Sequence, residues 1–334
     1  MKIRKSIYIT LLGILFFYIL AIFANFITPY NSLGELNSNA LSYSPPIKIR
    51  FNLKDYFYFY SYKISLNKNT YERTFSEIKN NKCKIKFFSQ NSLINSSNCP
   101  YSLNLLGTDK LGRDSFTRLL FGLRPSLFSA ILGILIVFPI GIIYGVVSGY
   151  HKGILDQFMM RIVEIILSLP SLYLLIVLAG VLPPGIPNTQ KLMLITGIIG
   201  LISWAGLARI IRGQTLSVCE REFIKYAYLL GVPKYKILIR EIIPQLYSYI
   251  IIAITISFPS FILGETTLSF LGLGISEPDA SLGTLLAEGK ELNNLFLRPW
   301  LGIMPSLILI FLAWNSNILG DSLRNLFDPK NSTK

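Results

Sequence analysis

The residues that could do chemistry in this chain are few and scattered. Its one histidine, His151, stands beside Lys152-Gly153 with no cysteine or paired carboxylate framing it. Zinc hydrolysis, dithiol redox chemistry and serine acyl transfer are signalled by HExxH, CxxC and GxSxG, and none of these spacings occurs. The stretch Gly283…Gly289-Lys290-Glu291 has the wrong spacing for a phosphate-cradling loop and lacks the Ser or Thr that ligates Mg²⁺. Glu265 lies at the end of an apolar run. A proton relay needs a chain of ionisable neighbours there, so Glu265 reads as a capping or hydrogen-bonding group. The sequence predicts no catalytic residue, no metal site and no bound cofactor.

Ionisable groups concentrate instead in Arg209–Arg240, 32 residues too polar for a bilayer but bounded on both sides by apolar runs. The run includes Glu220, Arg221, Glu222, Lys225, Ala227, Gly231, Pro233 and Lys234, and Pro244 follows it. Helical periodicity on both sides of Gly231 predicts two short helices joined at the glycine. Gly231 can take the left-handed conformation that ends the first helix, and Pro233 discourages its continuation.

The elements that must position this hairpin are membrane spans. Of all residues, 51% are apolar and 15% charged, and the mean hydropathy is +0.50. Crossing ~30 Å of hydrocarbon takes about 20 apolar residues. Ser6–Gly34, Pro125–Tyr150, Ile165–Gln190, Ile242–Gly264 and Pro299–Gly320 carry no charge, and Leu192–Ala208 is extended by a snorkelling Arg209. Six spans are expected. The first is too long for the apolar core of a cleaved signal peptide and is expected to remain as a helix.

The formal net charge of +14 could suggest nucleic acid, but its distribution follows the membrane. Short segments on the side of Met1 hold fifteen Lys or Arg, whereas the two short opposite loops hold only Lys191, Lys290 and Arg298. The positive-inside rule therefore places both termini and Arg209–Arg240 in the cytoplasm. Residues 30–118 hold thirteen Lys or Arg and are assigned outside; loops this long translocate regardless of charge. Domain organisation is read as 1–29 (N-terminus and first span), 30–118 (external insertion) and 119–330 (remaining spans, with the cytoplasmic loop at 209–244).

Within the insertion, Tyr56–Tyr60 and Lys84–Phe88 are aromatic or alternating runs between Asn- and Ser-rich clusters, which predicts a small β-rich element. Cys83 and Cys99 both fall there. They can pair, closing a loop of about 16 residues worth ~3 kcal/mol in the chain-entropy account, or stay free thiols. The insertion ends in Gly107-Thr108-Asp109-Lys110-Leu111-Gly112-Arg113-Asp114, where Thr108 or Asp109 is expected to cap a following helix. Span two carries Gly141, Gly145 and Gly149, a small-residue face that lets another helix approach closely. Asp156, Arg161 and Glu164 read as anchors at the inner interface, with Arg161 and Glu164 spaced to pair, and Pro170 interrupts the third span.

Around Glu220-Arg-Glu-Phe, Ala227-Tyr-Leu-Leu-Gly231 and Ile243-Pro244, the chain resembles the coupling loop of bacterial ATP-binding-cassette importer permeases, with Pro244 thirteen residues beyond the glycine. Lys225 and Tyr226 stand where Glu and Ala are usual. Leu106–Asp114 with Phe116–Arg124, then Leu268–Gly274, Pro299-Trp300 and Leu319–Arg324, resemble the oligopeptide/dipeptide/nickel branch. The resemblance implies an all-α membrane protein with six helices of the type I importer permease kind, carrying the β-rich insertion between helices 1 and 2. It implies the second of two permease subunits in the inner membrane, partnered by a homologous permease, two ATPase subunits and an external substrate-binding protein. ATP and Mg²⁺ would be bound on the partners, and no nucleic acid is involved. Peptides are the expected cargo, with nickel chelates or other small solutes as the alternative. Two other classes stay open, a secondary transporter working alone and a membrane scaffold with an external binding domain.

Overall fold

A computed structural model of the chain describes residues 2–28, 30–34, 42–53, 56–66, 73–89, 92–97, 103–183 and 185–327. The helices begin with α1 (Lys2–Ile22), α2 (Ala24–Ile27), α3 (Ser115–His151), α4 (Gly153–Ser168) and α5 (Ser171–Gly180). They continue with α6 (Asn188–Cys219), α7 (Glu222–Leu229), α8 (Lys234–Lys236), α9 (Ile243–Phe270), α10 (Leu282–Gly289), α11 (Leu292–Leu297) and α12 (Trp300–Phe327). Among the described residues, five unbroken helical runs, α1, α3, α6, Lys234–Phe270 and α12, are long and apolar enough to cross a membrane.

The sixth apolar stretch is a bent helix pair. Helices α4 and α5 meet at 80°, where the sequence suggests one span over Ile165–Gln190. Pro170 cannot donate to the helical ladder, and its ring drives the preceding residue out of the α region. Leu169 is accordingly extended, at φ −86° and ψ 133°.

Two other elements differ from expectation. The polar run from Arg209 is not all hairpin, because α6 continues unbroken to Cys219; no Gly-Pro pair or cap interrupts that stretch. Beyond Gly231 there is no separate second helix either. The three-residue α8 passes through a π-helical turn, Ile237–Ile242, directly into α9. Pro244 has no N–H for the carbonyl of Arg240, and a wider turn just before it absorbs the missing bond.

The chain forms two compact units, Met1–Ile14 with Leu127–Leu268 and Phe311–Lys334, and Leu15–Ser126 with Ser269–Ile310. In the first, α3 lies against α6 along its glycines. A Cβ on Gly141 would meet Leu207 at 2.8 Å, one on Gly145 the Ala208 carbonyl at 2.5 Å, and one on Gly149 the Thr215 side chain at 2.8 Å. Any larger residue would force the helices apart.

The second unit contains an antiparallel sheet, β1 (Arg50–Asn52), β2 (Tyr56–Leu66), β3 (Arg73–Ser89) and β4 (Ser92–Ser97), in sequential order. Phe59, Cys83 and Ile85 of the sheet pack with Ile47 and Leu103 in a small core. Cys83 is buried and disulfide-bonded, while Cys219, in α6, is free. Cys99, which the sequence leaves as either the partner of Cys83 or a free thiol, lies outside the described residues.

Candidate functional site

Two regions collect the residues singled out in the sequence. The first is the turn before α3. Gly107 and Gly112 take left-handed φ values of 72° and 80°, and Thr108 bridges Asp114 to close a tight loop. Asp109 sits at its centre, 1% exposed. Its Oδ1 accepts from the N–H groups of Leu111 and Arg113 at 2.9 and 2.8 Å, and its Oδ2 from Arg113 Nε at 2.6 Å. Arg118 Nη1 lies 3.3 Å from the same oxygen. Arg113 Nη2 donates onward to Glu277 Oε2 at 3.0 Å, the other oxygen of that carboxylate, Oε1, lies 3.1 Å from Lys110 Nζ, and the Lys110 backbone N–H donates to Glu288 Oε1 at 3.0 Å.

The cap of α3 is Asp114, not Thr108 or Asp109. Its Oδ2 accepts from the N–H and hydroxyl of Thr117 at 2.8 and 2.7 Å, as an N-cap side chain does for the third helical residue. Thr108 is occupied elsewhere, its Oγ1 accepting from Ser44 N at 2.8 Å. The glycine-hinged loop delays the helix start to Ser115, beyond the reach of Thr108 and Asp109.

Burial dominates the electrostatics. Asp114 is pushed up to about 7 by desolvation, against the hydrogen bonds of Thr117. Glu288 is also raised, first by burial and then by the charge of Asp109. At Glu277 burial works the same way, but the Lys110 hydrogen bond and the charge of Arg113 outweigh it, and its carboxyl falls below the usual range. The neighbouring hollow, lined by Arg118, Glu288 and Trp300 among others, measures about 20 Å³. That is the room of one water molecule, far below the ~300 Å³ at which ligand pockets begin. This cluster is a structural clamp. Sequence reasoning missed its partners Glu277, Glu288 and Arg118; the only available signal was three ionisable groups in otherwise apolar surroundings near a basic turn.

The second region is the hairpin after α6. Leu230, Gly231 and Val232 end α7 with two bonds, Gly231 N–H to Tyr228 O at 3.1 Å and Val232 N–H to Ala227 O at 3.2 Å. With Gly231 at φ 69°, this is the Schellman arrangement that closes a helix on a left-handed glycine. Glu222 opens α7 and Pro233 precedes α8. Ile224 alone turns inward, at 5% exposure, whereas Tyr226, Tyr228, Leu229 and Leu230 are 61 to 82% exposed. The charges are at the surface. Glu220 meets Lys152 at 2.7 Å and Lys225 at 3.9 Å, and Arg221 Nη1 donates to Gln245 Oε1 at 3.0 Å. The Lys152 hydrogen bond holds Glu220 below its usual range. Lys234 and Lys225 line a 560 Å³ hollow beside Tyr228 and His151. Pro244 stands in the first turn of α9.

Between α4 and α6, Asp156 is not an exposed interfacial anchor. It is 7% exposed, and Arg212 donates to both its oxygens from Nε and Nη2 at 2.5 Å each, with Ser148 as a third donor. Arg161 and Glu164 pair at the surface, 3.2 Å apart. Glu265 is fully buried in α9.

Several helices long and apolar enough to cross a membrane, with a polar hairpin between two of them, are the architecture of an integral membrane protein. Residues 118–333 match the family described as binding-protein-dependent transport system inner membrane component, and the chain belongs to that family. It is 41% identical over 227 residues to an oligopeptide transport system permease protein of Haemophilus influenzae, covering 68% of this chain and 70% of that one. A dipeptide transport system permease protein of Bacillus subtilis is 37% identical over 249 residues, 73% of this chain and 76% of the other. Among solved structures, the inward-facing MetNI methionine ABC transporter matches with a TM-score of 0.50 at 18% identity, over 63% of this chain and 97% of that one. That likeness shows the importer permease fold.

Proposed function

We propose that this chain is one permease subunit of an ATP-driven peptide importer, moved through the hairpin centred on Gly231 by an ATPase it does not contain. The similarity to oligopeptide and dipeptide permeases carries the reading. Exposed Tyr226, Leu229 and Leu230 give the hairpin an apolar contact surface, and Lys225 and Lys234 give it the charge to meet acidic residues. A homologous permease completes the pathway, an external binding protein delivers the peptide, and ATP with Mg²⁺ is bound on two ATPase subunits. Both termini and the hairpin are cytoplasmic in this scheme, and the insertion of residues 30–118 is external.

Arg212 belongs to the helix that ends in the hairpin and Asp156 to the broken span, so their bidentate pair provides a link through which hairpin motion reaches α4. The wall formed by Ser203, Tyr249, Ser257 and Ser260 among apolar neighbours, around a 270 Å³ hollow, suits peptides of varied sequence. Hydroxyls can bond a peptide backbone without selecting side chains.

The test is uptake of a mixed peptide pool by the reconstituted complex, read by mass spectrometry, with Gly231→Asp as the uncoupled control. Wild type is expected to accumulate peptides in an ATP-dependent manner, and the variant to hydrolyse ATP without uptake or fail to hold its ATPases. Equal uptake by both would refute the coupling role. ATP-dependent uptake of other solutes but no peptide would refute the cargo.

A further inference from the structure

The insertion's sheet has one face that is buried at one end and bare at the other. Phe59 pairs with Cys83, both fully buried. Phe57, two residues from Phe59, shares that face, as does Phe87, two from Ile85. Phe51 pairs directly with Phe57. Yet Phe51, Phe57 and Phe87 are 60, 40 and 51% exposed. Their rings form one cluster, with centroid separations of 5.3 and 5.9 Å.

Sequential antiparallel order places the β1–β2 and β3–β4 turns at this same end of the sheet. Leu53, in the first of those turns, is 86% exposed. Phe88 leaves the strand alternation at φ 57° and is 77% exposed. Its ring lies 6.2 Å from Phe26 of α2, which directly follows α1. The apolar window of α1 is only 11% buried within the chain, as a lipid-facing span requires. The aromatic tip is therefore fixed at the end of a membrane helix. Phe87, next in the chain to Phe88, carries the bare ring cluster from that anchoring point.

The geometry points to lipid as the occupant of this tip: Phe51, Phe57 and Phe87 seat in the headgroup–acyl boundary of the leaflet where α1 ends. A contiguous apolar cluster is not ordinarily left in water, and aromatic rings favour the membrane–water interface. Lys84 and Lys86 stand exposed on the opposite face of β3, where long cationic side chains can reach lipid phosphates. The insertion is thus tethered at two points, its chain connection to α1 and its own aromatic tip. The seating is independent of what the permease carries.

The test is site-specific photocrosslinking in the intact complex, held in nanodiscs of phosphatidylethanolamine and phosphatidylglycerol. Benzoylphenylalanine replaces Phe87, then Phe57. Leu12, exposed on α1, is the positive control, and Ser65, exposed toward the far end of β2, the negative one. Phe87 and Phe57 are expected to gain phospholipid-sized mass shifts as Leu12 does, and Ser65 none. A crosslink from position 87 to another subunit would replace lipid by protein as the occupant. No adduct at positions 57 and 87, with Leu12 labelled, would show the tip in water. Either result overturns the inference.

Discussion

The turn at Gly107–Asp114 and the hairpin at Glu220–Pro233 are built from the same parts and put to opposite uses. Both combine left-handed glycine with a cluster of charges and the end of a long helix. In the turn, Asp109, Arg113 and Arg118 are at most 5% exposed and hold one another. In the hairpin the ion pairs are at the surface, and large apolar side chains point outward. Surface pairs such as Lys152–Glu220 add little stability, whereas buried charges are costly unless fully paired. A charge-rich motif can therefore be a structural clamp or a docking site, and burial tells which.

Removal of one clamp charge should have the largest effect. Arg113→Ala leaves Asp109 without its closest cation, and losing one partner of a buried pair costs about 3–5 kcal/mol. Thermal unfolding of the purified protein should show a loss of that order; a change below ~1 kcal/mol would put the clamp at the surface instead.

The glycines offer a paired comparison. A Cβ on Gly107 would lie 2.4 Å from the Ser44 carbonyl and 3.0 Å from Trp300 Nε1, whereas one on Gly231 would meet nothing within 4 Å. Gly231→Ala should thus cost only the left-handed backbone strain, about 1–2 kcal/mol. Gly107→Ala should cost clearly more, and equal losses in unfolding experiments would break the contrast.

Asp114 gives the clamp a pH signature. Its folded value is raised from 3.8 to about 7, so folding favours the protonated form. The stability it contributes is present below its unfolded value and is lost as pH rises through about 7. Asp114→Asn keeps a good cap without the titration, so it should gain on wild type between about pH 4 and about pH 7, the window bounded by the two values. A variant that loses ground over that range would contradict the assignment. The smallest effect belongs to the hairpin, where Glu220→Gln should leave the unfolding midpoint of the isolated chain unchanged.

Much of this was legible in the sequence. Long uncharged runs gave the spans, and Gly231 with Pro233 marked the end of α7, because each signal is local. The bend at Pro170 was also marked, but its 80° angle depends on how α4 and α5 pack. Less legible was whatever depends on partners distant in sequence. Asp156 read as an interfacial anchor because Arg212 is 56 residues away, and the turn read as a simple cap because Glu277 and Glu288, which hold Arg113 and Lys110, come more than 160 residues later. The continuation of α6 past Arg209 was hidden by its charges, which a helix accepts once they reach a partner or the surface.

Hydrogen–deuterium exchange on the chain alone and within the assembled complex tests the central contrast most directly. The account predicts that amides of Glu222–Val232 exchange fast in the isolated chain and slow markedly only when the ATPase subunits are bound. Amides of Thr108–Thr117 should be equally protected in both. Protection of the hairpin without the ATPases, or clamp protection that appears only in the complex, would contradict it.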